Sequence, residues 1–181
     1  MSPGKSPQIA PERHNAPAMA LQEPSLKGRA LRLLGMREYS RAEIERRLKD
    51  HAPEPGLLAR TLDELEAKGF INAQRVIDSV IHRRAGKLGA ARIQHELQNK
   101  GLDAAMVLDA VARLQATELG RARAVWQKKF GGTQADDSAA GAAGASARSR
   151  QMRFLASRGF DGDTIRRVVS QSSDEQDPMP G

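Results

Sequence analysis

A faint internal repeat constrains this chain more than any single motif, because a repeated sequence folds as an array of similar units. Shifting by 49 residues lays Ile44, Leu48, Leu58, Leu62 and Leu65 onto Ile93, Leu97, Val107, Val111 and Leu114, apolar onto apolar each time. A further shift of 58 lays Leu97, Gly101, Leu102, Asp103, Val107 and Val111 onto Leu155, Gly159, Phe160, Asp161, Ile165 and Val169. The added length falls in 131–147, a run of Gly, Ala and Ser without a large apolar side chain, which reads as a flexible insertion.

Within each unit the spacing is helical. Three short helices per unit are expected, the first at about 26–37, 72–86 and 117–130 in turn. In the second of these, Val76, Ile77, Val80 and Ile81 form one apolar stripe. Ser40 followed by Glu43 has capping-box spacing, which opens a helix running to about Asp50. Gly69, Gly101 and Gly159 stand where helices should stop, and Asp103 and Asp161 where the next should be capped. Aromatics are only 3% of the chain, so the core must come from Leu, Ile, Val and Ala, which favours packed helices over a β-sandwich.

The expected fold is therefore all-α, an elongated array of three tandem three-helix units at 25–70, 71–116 and 117–170. Each unit has few large apolar residues, so none is expected to hold an independent core, and stacking should stabilise them jointly. Residues 1–24, with five prolines, read as a disordered arm, and the acidic stretch 171–181 as a disordered tail.

Charge gives the functional lead. Lys and Arg number 29 against 22 Asp and Glu, a net +7, with +6 in residues 71–130 and +4 in 148–170. Such an excess suits a polyanionic partner. Arg83, Arg84, Lys87 and Arg92 cluster around the first turn of the middle unit, while Lys128, Lys129, Arg148, Arg150 and Arg153 flank the corresponding turn of the last. These nine are the candidate partner- and nucleic-acid-binding residues, meeting phosphates or an acidic protein groove. Cations there also offset the negative ends of helix dipoles, a structural role compatible with binding. Tyr39, Phe70, Trp126, Phe130, Phe154 and Phe160 fall mostly on apolar stripes or at helix ends and read as core rather than base-stacking platforms.

Signs of catalysis are missing. There is no cysteine, hence no disulfide, thiolate metal site or cysteine nucleophile. His95 and Glu96 begin a zinc-protease-like string, but the second histidine it needs is Asn99, and His14, His51 and His82 lack partners at ligand spacing. No phosphate-binding loop or dinucleotide fingerprint occurs. The chain is expected to be no enzyme and to carry no cofactor or metal. The N-terminal stretch has no signal-peptide core and no run is long enough to span a membrane, so a soluble, cytoplasmic monomer without a membrane partner is expected.

One competing reading uses the same residues. Ser40–Leu48 and then the run from Thr61 to Ile71, ending LDELEAKGFI, look like two helices and the first wing strand of a winged-helix transcriptional regulator. Against it, NAQRVIDSVIHRR after Ile71 has helical spacing where a wing needs a hairpin, and the repeat has no place in a single winged domain.

In order and spacing, ALRLLGMREYSRAEIERRL, LDELEAKGFI, GAARIQHELQNKGLD and SRQMRFLASRGFDGDTIRRVV resemble the RecX regulatory family over residues 26–169. NAQRVIDSVIHRR is less acidic and aromatic than the family's version, and the Gly/Ala run lengthens the last unit. The resemblance implies a curved array of three-helix units that binds in the groove of the RecA filament on single-stranded DNA. It further implies inhibition of RecA's recombinase, ATPase and coprotease activities in DNA repair and the SOS response. Family likeness carries over architecture; the nine basic residues rest on charge alone.

Overall fold

The structure is a computed structural model, and it describes residues 24–131 and 142–174. These residues form α1 (Leu26–Met36), α2 (Arg41–Leu48), α3 (Leu57–Ala67), α4 (Ala73–Arg84), α5 (Ala90–Asn99), α6 (Ala104–Gln115), α7 (Glu118–Phe130), α8 (Ala142–Ser157) and α9 (Gly162–Asp174), with a 3₁₀ turn at Lys49–His51. No strand occurs among the described residues. The wing required by the winged-helix reading is replaced by α4, whose start is fixed by the Asn72 side chain accepting from the Arg75 amide.

The ends of the helices follow from local chemistry. Ser40 and Glu43 form a reciprocal capping box at the start of α2. Asp103 accepts from the amides of Ala105 and Met106, and Asp161 from that of Thr164. Gly69, Gly101 and Gly159 all have positive φ, at 73°, 68° and 82°, in the left-handed region that ends a helix without a Cβ penalty.

Helices α1–α3, α4–α6 and α7–α9 pack chiefly among themselves. Each triplet encloses its own core, which corrects the expectation that no unit has one. The first gathers around Ile44, Leu62 and Leu65, the second around Ile77, Ile93 and Leu97, the third around Trp126, Leu155 and Val169. Fully burying one such side chain contributes about 1.5–3 kcal/mol. The periodic large residues are supplemented by buried alanines, Ala30, Ala90, Ala110 and Ala122, which let helix backbones approach and complete cores that a count of large side chains underestimates.

Two boundaries differ from expectation. Helix α8 starts at Ala142, inside the segment read as a flexible insertion, because its alanines favour helix and Ala147 is buried. The α9 helix runs on to Asp174, past the expected start of the acidic tail. The arm at 1–23, insertion residues 132–141 and tail residues 175–181 lie outside the described residues.

Candidate partner-binding surface

The basic residues are positioned by two joints between units. At the first, the end of α5 meets the start of α2. The Ser40 hydroxyl donates to the Lys100 carbonyl at 2.5 Å, and the Glu43 carboxylate accepts from the Ser40 amide at 3.0 Å. Glu43 also takes Lys100 Nζ at 2.8 Å and Arg37 at 3.1 Å. Burial alone would push the Glu43 carboxyl up, but the hydrogen bonds from Lys100, the Ser40 amide and Arg37 together hold it down to about 2. Arg46 reaches the Asn99 carbonyl, and Arg75 pairs with Glu38 at 3.0 Å, tying α4 to the segment before α2.

The second joint repeats the first, with the end of α8 against the start of α5. The Gly89 amide donates to the Arg158 carbonyl at 2.9 Å. A Cβ on Gly89 would run into the Gly159 carbonyl, so no side chain can stand there. The cap that Ser40 supplies for α2 comes to α5 from another unit, as the Glu118 carboxylate accepts from the Ala90 amide at 2.9 Å. Burial, with Asp161 nearby, pushes the Glu118 carboxyl up against the pull of that amide and of Arg121. Arg121 donates to the carbonyls of Ala85, Leu88 and Leu114, pinning the α4–α5 turn to α7. These anchors connect sequence positions too far apart for local patterns to reveal.

Each joint leaves a cleft. The first, of about 620 Å³, is lined by Arg46, Arg84, Arg92 and Lys100 together with His95, Glu43 and Glu96. Its carboxylates are engaged from within, Glu96 by Arg84 at 3.0 Å and Glu43 by Lys100. The second, of about 470 Å³, is lined by Lys87, Lys128, Lys129 and Arg158 over Ala124, Val125 and Phe154.

The structure thus sorts the candidate cations differently from the sequence. Lys87 leaves Arg84 and Arg92 and joins Lys128 and Lys129 across the second joint. Arg83, whose guanidinium turns back to the Ser79 carbonyl, lines neither cleft, and nor do Arg148, Arg150 and Arg153, exposed on α8. Sequence reasoning missed Arg46, Lys100 and Arg158. A signal for the last two was present, since the 58-residue shift lays Lys100-Gly101 on Arg158-Gly159. The aromatics behave largely as expected: Tyr39, Trp126 and Phe160 are buried, Trp126 donating to Gln151 at 3.0 Å, whereas Phe70 is exposed. Among the described residues no cluster of side chains could hold a metal ion, and no helix is long and apolar enough to cross a membrane.

Comparison with known proteins gives this arrangement a family. Residues 27–65 match the model of the first three-helix domain of RecX, and residues 116–169 that of the third. A protein of Leptothrix cholodnii named Regulatory protein RecX is 46% identical over 153 residues, 84% of this chain and 92% of its own. One of the same name from Ralstonia nicotianae is 38% identical, covering 84% and 91%. The crystal structure of RecX from Lactobacillus salivarius shares the fold at 20% identity with a TM-score of 0.65, covering 83% of this chain and 95% of that one. With its three-helix units and its likeness to these relatives along most of its length, the chain belongs to the RecX family of regulatory proteins, which are not enzymes.

Proposed function

We propose that this protein binds the RecA filament on single-stranded DNA and restrains it, mainly inhibiting recombinase, ATPase and coprotease activity in DNA repair and the SOS response. The observation that carries this reading is the row of stacked three-helix units with a cation-lined cleft at each joint, which offers positive charge at intervals along one molecule. An extended polyanionic partner can engage both intervals at once, where a small substrate would need a single enclosed site. Units at 25–70, 71–116 and 117–170 act together, as a cytoplasmic monomer. Arg83, Arg84, Lys87, Arg92, Lys128, Lys129, Arg148, Arg150 and Arg153 supply the contacts to RecA or DNA, joined by Arg46, Lys100 and Arg158.

The test is RecA-catalysed ATP hydrolysis on single-stranded DNA. An equimolar or smaller amount of this protein should slow hydrolysis and shorten filaments seen by electron microscopy. Unchanged hydrolysis and filament length would overturn the reading.

A further inference from the structure

The two clefts differ in how their charge is balanced. In the first, Glu43 and Glu96 stand among the cations and are paired with Lys100 and Arg84. Among the described residues no carboxylate lines the second, and Lys87, Lys128, Lys129 and Arg158 form no ion pair. Within the described residues their charge has no carboxylate to meet it, which suits an anionic ligand. Arg158 is held in place, its guanidinium reaching the Lys87 carbonyl and lying 4.8 Å from the Phe154 ring centroid.

The floor is apolar. Ala124, Val125 and Phe154 form a strip between the cations, and a sugar-phosphate backbone, whose contacts are mainly hydrogen bonds and charge pairs, has only small sugar C–H groups to set against it. A nucleic-acid base could use such a strip only by stacking on Phe154. That ring is already engaged, by Arg158 and by an edge contact with Phe130 at 5.3 Å and 87°. Carboxylates around an apolar anchor satisfy both features, and the groove's volume suits a few side chains.

We propose that the groove at the joint of the second and third units docks an acidic peptide segment of a partner protein, with an apolar side chain seated over Ala124 and Val125. This names the partner chemistry of one surface proposed above and rests on that reading.

The test uses the full chain and three fluorescent probes in anisotropy titrations. They are a short peptide of Asp and Glu with two leucines four residues apart, its isomer with both leucines changed to serine, and oligothymidylate. The leucine peptide should bind about tenfold tighter than the serine one, as expected for burying a leucine. Ala124 is exposed on α7, so Ala124→Asp places a negative charge in the groove without touching the core. That variant and Lys128→Gln/Lys129→Gln, with folding checked by circular dichroism, should each weaken leucine-peptide binding about tenfold while Ala124→Asp leaves oligothymidylate within about twofold. Equal binding of the two peptides, or an unchanged affinity in Ala124→Asp, would overturn the proposal. An equal loss of oligothymidylate in Ala124→Asp would also overturn it and make the groove a phosphate site. RecA hydrolysis measured in parallel separates the two readings. Peptide discrimination without any effect on hydrolysis removes the filament reading and keeps the groove, whereas slowed hydrolysis without peptide binding removes the groove alone.

Discussion

Glu43, half-buried, and Glu118, buried, are both carboxylates at joints, yet their surroundings act on them in opposite directions. Glu43 is held at about 2, below its ordinary 4.5, so the folded chain favours its ionised form. Its stabilisation is full above the unfolded value and is lost as pH falls from there through about 2. A depression of that size corresponds to about 3 kcal/mol. Glu43→Gln leaves the Lys100 ammonium buried without its partner, and should cost about 3 kcal/mol at neutral pH. It should also flatten the loss of stability below pH 4.5, read by urea unfolding across a pH series. Glu118→Gln is the control. It removes a carboxyl that burial has already pushed up and keeps an oxygen for the Ala90 amide, so it should leave neutral-pH stability equal or higher. A Glu43→Gln chain with the wild-type acid limb would refute this account. The capping role of Glu43 was legible because Ser40 lies three residues away; its pairing with Lys100, 57 residues on, was not, since that depends on how units stack.

Among the elements, α5 shows most plainly what local sequence does and does not encode. Its apolar positions and its closing glycine were read from the repeat, but Gly89 gave no sign that it faces the Gly159 carbonyl. Gly89→Ala should force the second joint apart, because backbone rather than a yielding side chain stands in the way. Trp126 is the chain's one tryptophan and lies in the third core, so its fluorescence reports that unit while circular dichroism reports all helices. The two unfolding transitions should coincide in the wild type and separate in Gly89→Ala, fluorescence moving to lower denaturant. Coincident transitions in the variant would show that the joint does not couple the units. The start of α8 escaped sequence reasoning for a different reason. A run of small residues carries no periodic apolar signal, and alanine forms helix once a neighbour is there to bury it.

At the scale of the whole molecule, the sequence revealed how much positive charge there is and roughly where, while stacking decides which cations share a face. Arg150 and Arg153, one helical turn apart and exposed on α8, lie outside both clefts. If they meet phosphates, Arg150→Gln/Arg153→Gln should weaken binding to bare single-stranded DNA. The slope of log affinity against log salt should then fall by about 0.7 for each phosphate that is no longer neutralised. An unchanged slope would confine nucleic-acid binding to other residues. Helix α5 alone among the described elements carries a joint at each end, Gly89 against the close of α8 and Lys100 with Gly101 against the opening of α2. A helix advances ~1.5 Å and turns ~100° per residue, so inserting or deleting one residue in α5 would swing the third unit about a quarter-turn relative to the first. The length of this helix is thus a gauge that sets the pitch of the array. It fixes the spacing and bearing that the two clefts would present to the helical filament proposed as partner.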